Sequence, residues 1–120
     1  MSVEERIRAL ESAVEDLREK QQRLLTVTDP QRHPFTYLTL EANLTGAQVK
    51  AIFSLMDEAE RSVSTRQRMH HAEFERRVYG IVPSRAGDYH FAEDIVRTLN
   101  DSNQYTSVYN HMRTSGMNLR

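Results

Sequence analysis

The first 25 residues constrain this chain most. Val3, Ile7, Leu10, Val14, Leu17 and Leu24 follow one another at intervals of 4, 3, 4, 3 and 7. That spacing is a heptad seam, in which apolar side chains return to one face of a helix every 3.5 residues on average. Ile7, Val14 and Gln21 occupy the a positions, and Val3, Leu10, Leu17 and Leu24 the d positions. Ser2 followed by Glu5 is a capping box at its start, and no Gly or Pro interrupts the run before Leu25. The spacing predicts a helix over Val3–Leu25, about 34 Å long at ~1.5 Å per residue. Its other faces carry Glu4, Glu5, Arg6, Arg8, Glu11, Glu15, Asp16, Arg18, Glu19, Lys20 and Arg23. So thin an apolar stripe suits a seam between copies better than the interior of a monomer. Arg6 at g and Glu11 at e stand five apart, the interval at which two parallel strands exchange charge. The expected interface is therefore Val3, Ile7, Leu10, Val14, Leu17, Gln21 and Leu24. β-branched residues at a with Leu at d lean towards a homodimer, while Gln21 and Ala13 at g leave a homotrimer open.

The rest of the chain is read as a helical body joined by a linker. Thr26–Pro34 contains two prolines and several β-branched residues, which break a helix. The expected organisation is 1–25 as oligomerisation helix, 26–33 as linker and 34–120 as a compact bundle of about five short helices, all-α and a single domain overall. Pro34 suits the first position of a second helix ending at Ala42–Asn43. Thr45 and Gln48 form a second capping box, opening a helix with Val49, Ile52, Phe53, Met56, Ala59 and Val63 on one face. A fourth helix is expected from His70 to Tyr79, closed by Gly80. A fifth runs from Tyr89 to Leu99 behind Asp88, and a sixth is capped by Ser102 and closed by Ser115-Gly116 before a loose tail.

The order of these elements resembles the YhaI-like family of small uncharacterised bacterial proteins. The likeness is carried by the heptad helix, by Pro34-Phe35-Thr36-Tyr37-Leu38, by Met56-Asp57-Glu58 after a Leu-Thr start, and by Glu73-Phe74. The stretch Gly80–Gly87 departs from that pattern, which would be more helical there. The resemblance implies an all-helical, self-associating cytoplasmic protein and no reaction.

Composition excludes several classes. There is no cysteine, so disulfides, thiolate metal sites and cysteine nucleophiles are impossible. No window is as apolar as a membrane helix, and Met1-Ser2-Val3-Glu4-Glu5 lacks the basic start of a signal peptide, so a cytoplasmic location without membrane partners is expected. Sixteen basic against 17 acidic side chains give a net charge of −1 and no overall attraction to nucleic acid. The chain holds 14 Arg against two Lys (Lys20 and Lys50).

The sharpest charge cluster is Arg61, Arg66, Arg68, His70, His71, Arg76 and Arg77, where five Arg face Glu73 and Glu75. It is the candidate surface for nucleic acid or a small anion, although no recognition helix or interleaved aromatics accompany it. His71 with Glu75 and His90 with Asp94 are i, i+4 pairs, short of the three or four ligands a metal needs. Asp57, Glu58 and Glu60 fall on a polar helix face, and no nucleophile elbow, P-loop or dinucleotide fingerprint occurs. No catalytic residue, cofactor or metal is therefore expected. Tyr79, Tyr89, Tyr105 and Tyr109 suit interface or core. The expected function is a non-enzymatic homo-oligomer that binds an unknown protein partner as scaffold or regulator. Nucleic-acid or anion binding through residues 61–77 is the alternative.

Overall fold

A computed structural model describes residues 2–65 and 67–119. Among these the chain forms α1 (Val3–Val27), α2 (Pro34–Glu41), α3 (Gly46–Val63), α4 (His71–Ile81), α5 (Phe91–Asp101) and α6 (Thr106–Ser115), with a single 3-10 turn over Pro83–Arg85. It is all-helical, and its contacts divide it into two units, Met1–Pro30 and Gln31–Arg120.

The first unit is built on α1. The Ser2 hydroxyl accepts the Glu5 amide at 3.1 Å, and Glu4 and Glu5 place negative charge at the positive end of the helix. Glu4–Arg8, Asp16–Lys20 and Glu19–Arg23 stand at i, i+4 with the acid first, the favourable order. The helix runs two residues beyond Leu25. There Thr26 and Thr28 turn their hydroxyls back onto the Arg23 and Leu24 carbonyls, at 2.6 and 2.7 Å. These bonds satisfy acceptors that a helix end leaves open.

In the second unit, α5 is the central element, in contact with α2, α4 and α6, while α3 packs on α4 and α6. Phe91, Ala92, Ile95, Val96 and Leu99 cover one side of α5 and are all buried. Ile52, Leu55, Met56 and Ala59 of α3, Phe74 and Val78 of α4, and Val108 and Met112 of α6 close around them. Phe35 of α2 meets Phe53 edge-on, with ring centroids 5.3 Å apart. Leu55 joins the core although it stands beside the stripe expected from spacing, because α3 is covered by two neighbours and so buries a wider face.

The helix ends show where local signals decide. Asn43 takes a left-handed conformation (φ 57°), its amide bonds the Leu40 carbonyl, and Leu44 bonds back to Thr39 at 3.0 Å. This is a Schellman closure that an Asn tolerates. Thr45 and Gln48 form the expected reciprocal capping box, and the Gln48 amide also donates to the Ile81 carbonyl at 3.2 Å.

Other boundaries differ from expectation. Gly80 does not close α4 but lies within it, and the helix ends at Ile81, before Val82 and Pro83. α5 begins at Phe91 rather than Tyr89, after Asp88 accepts the His90 amide at 3.0 Å, and it continues past Asn100 to Asp101. Ser102 does not cap α6; it ends α5, and its hydroxyl returns to the Thr98 carbonyl. α6 starts instead behind Tyr105, which holds a left-handed backbone (φ 56°) unusual for a bulky residue. After Gly116 (φ 117°) the chain is not a loose tail, because Met117 is buried and Leu119 packs on the core.

Candidate interaction surface

Every apolar residue of the seam in α1 faces solvent within the single chain. Val3, Leu10, Leu17 and Leu24, at d, are 65–70 % exposed, and Ile7 and Val14, at a, are 48 % and 46 % exposed. Gln21 is half-buried, and Leu25 is the buried residue of this helix. Ile7, Leu10 and Val14 line a shallow, almost wholly apolar depression flanked by Glu11, Glu15 and Arg18. Single exposed leucines are ordinary on protein surfaces. A continuous row of them along one helix is not, which makes this stripe the candidate contact surface.

The arginine cluster comes apart in the fold. Arg77 meets Glu58 across α3 and α4 at 2.6 Å. The guanidinium hydrogen bond holds the Glu58 carboxyl below the usual carboxylate range, and Arg61 adds to this. The same bond raises the pKa of Arg77. Arg76 stands 3.9 Å from Glu73, both of them exposed. His70 caps α4 by accepting the Ala72 amide at its Nδ1, 3.1 Å away, and its ring lies tilted against that of His71, with centroids 4.4 Å apart. His71 reaches Glu75 at 3.5 Å and packs beside Gly116. Arg66 lies outside the described residues. Arg76 and Arg77 are thus paired with acids and Arg61 acts on the Glu58 carboxylate, so part of the cluster's positive charge is matched within the chain.

Arg68 has different company. Both backbone groups of its neighbour Met69 are tied down: the amide donates to the Ser62 hydroxyl at 3.1 Å, and the carbonyl takes His111 Nε2 at 2.9 Å. The segment before α4 is thereby fastened to α3 and α6. Arg68, Val63, Ser107, Asn110, His111 and Thr114 line a groove of about 340 Å³, with no carboxylate among these lining residues. The polar stripe of α6 is legible from its i, i+3, i+4 and i+7 spacing. Its meeting with Arg68, some forty residues earlier, is not.

Asp57, Tyr79 and Tyr105 serve the fold. Tyr105 donates to Asp57 at 2.6 Å, and its ring lies 6.4 Å from Phe53. Burial first, then the Asp57 carboxylate, push its pKa up to about 12. Tyr79 donates to the Asp88 carbonyl and accepts the Ala92 amide, fixing the turn before α5, and burial raises its pKa. Tyr89 is 83 % exposed. His90 pairs with Glu93 at 3.1 Å rather than with Asp94, which turns to Arg97. Among the described residues no group of three or more His, Asp or Glu could hold a metal ion, and no helix is long and apolar enough to cross a membrane. Comparison of the chain with protein-family models, with curated proteins and with solved structures gives no match.

Proposed function

We propose that this protein is a non-enzymatic homo-oligomer that works as an interaction scaffold or regulatory factor. The N-terminal helix is its assembly element, and the helical body is the surface it presents to a protein partner. One observation carries this reading: six apolar residues in heptad spacing are exposed along α1. Isolated helices are marginal in water, and the amphipathic ones of proteins gain most of their stability by burying the apolar face. A second copy offers that burial. Several bodies held together would then bind a multivalent partner more tightly than any one alone. The test is the double change Val14→Glu with Leu17→Glu, followed by light scattering. Four buried carboxylates per dimer are expected to leave a 14.0 kDa monomer. A natural chain that is already monomeric, or a variant whose mass is unchanged, overturns the proposal.

A second reading rests on the Arg68 groove. The Arg68 guanidinium, the Ser107 hydroxyl and the Asn110 amide, with no acid in the lining, suit a small oxyanion better than a nucleic-acid duplex. Titration with inorganic phosphate at two salt concentrations tests it. Binding that weakens with salt and disappears in Arg68→Gln supports it, and absence of binding at low salt removes it.

A further inference from the structure

We infer that the α1 seam takes one particular occupant, a second α1 lying parallel and in register, so that the assembly is a two-stranded coil. This rests on the self-association proposed above and adds strand number, direction and register.

Area and residue choice support two strands. The exposed seam residues offer roughly 650 Å² per copy, close to the ~800 Å² per partner of a stable interface, so one copy is enough to cover them. β-branched Ile7 and Val14 at a, with Leu10, Leu17 and Leu24 at d, are the pattern that packs best in two strands.

Direction follows from what each side chain would meet. In a parallel pair in register, every seam residue from Val3 to Leu24 stacks on its own counterpart, and no layer is lost. Gln21 then faces Gln21, amide to amide, where a donor and an acceptor are both present. Arg6 at g reaches Glu11 at e of the copy, and this contact occurs twice. The next g residues, Ala13 and Lys20, face Arg18 and Leu25, so no like charges meet.

The two antiparallel registers that keep most of the seam are worse. In one, Val3 faces Gln21, and three like-charge contacts (Arg6 with Lys20 twice, Glu11 with Glu11 once) outnumber the two opposite ones of Glu4 with Arg18. In the other, Glu11 finds Arg18, but the Gln21 amide is set against Leu10 and Val3 is left opposite Thr28. In both registers Val3 loses its apolar counterpart, and in the second Leu10 does too, so seam area that the parallel pair buries against apolar side chains stays mismatched.

The absence of cysteine makes the test clean. Val3→Cys in the full chain places the two new thiols in one layer only if the helices are parallel and in register. Mild oxidation is then expected to give a covalent dimer of twice 14.0 kDa on a non-reducing gel. In the antiparallel registers the thiols stand about 27 Å or more apart at ~1.5 Å rise per residue and cannot join.

A non-covalent dimer in which Val3→Cys chains and Gln21→Cys chains each fail to cross-link alone, but join each other when mixed, overturns the direction and leaves self-association standing. A trimeric mass overturns the strand number. A monomeric mass overturns the proposed function itself. As a second arm, Arg6→Glu is expected to raise the dimer Kd about fivefold, since two ion pairs become repulsions, and adding Glu11→Arg should restore it. Failure of that rescue removes the charge pairing from the argument.

Discussion

Leu17 lies at the centre of the α1 seam, and its replacement by Ala separates a paired helix from a solitary one by sign as well as size. In the single chain Leu17 is 65 % exposed. On a solitary helix its truncation would remove nothing that is packed, and Ala favours helix slightly more than Leu, so helicity would stay level or rise. In a coil the same side chain is a d-position knob. Its exposed surface is about 120 Å², whose burial is worth about 3 kcal/mol at ~25 cal/mol per Å². Truncation to Ala forfeits most of this and leaves a cavity, costing about 2 kcal/mol per copy. A dimer carries two copies, so about 4 kcal/mol is lost and Kd rises nearly a thousandfold. Sedimentation equilibrium over a dilution series reads Kd, and far-ultraviolet circular dichroism on the same samples reads helix content. The expected outcome is dissociation at micromolar concentration with loss of helix signal from α1. An association constant within threefold of the natural chain would refute the reasoning, as would undiminished helicity in a dissociated chain.

The remaining predictions concern the helical body. Gly80 is exposed, lies inside α4, and has nothing within 4 Å of a Cβ built on it, so Gly80→Ala should stabilise by about 0.5–1 kcal/mol in urea unfolding. Gly116 has φ 117° and a Cβ there would stand 3.1 Å from His71 Nε2, so Gly116→Ala should destabilise by more than about 1 kcal/mol. Opposite signs at these two glycines are the outcome to check. Tyr105 holds its proton up to about pH 12 in the folded chain, against about 10 in an unfolded one. The folded state is then the more protonated of the two between those values. The stability contributed is full below about pH 10 and lost as pH rises towards 12. Tyr105→Phe should cost about 1 kcal/mol at neutral pH and flatten the alkaline loss, leaving the smaller slope due to Tyr79, whose pKa is also raised.

What could be read in advance divides along a physical line. Caps and seams are made by residues within a turn or two of each other. Ser2, Thr45 with Gln48, Asn43 and Gly116 all act on backbone groups three to five positions away, and each acts where its spacing said it would. Gly80 and Ser102 are the same residue types in the same kind of place, yet neither acts as expected. α4 runs one residue past Gly80 and ends at Ile81, whose carbonyl takes a donor from Gln48, more than thirty residues earlier. The start of α6 moves from Ser102 to Tyr105 because the phenol finds Asp57 and the ring finds Phe53 on α3. There a distant partner outweighs a local preference worth about 1 kcal/mol.

The arginines divide the same way. A count of charges along 61–77 suggests one basic face, but charge is a property of space rather than of sequence. Glu58 reaches in from α3 to Arg77, and α6 brings His111 and its hydroxyls to Arg68. The sequence alone determined that the chain is helical and that its first helix carries a heptad stripe, because periodicity is local and survives any packing. Only the tertiary structure decided that this stripe stays in solvent while the other apolar faces close on α5, and which charges are already spent. Burial and ion pairing depend on neighbours that the chain brings together only once it has folded.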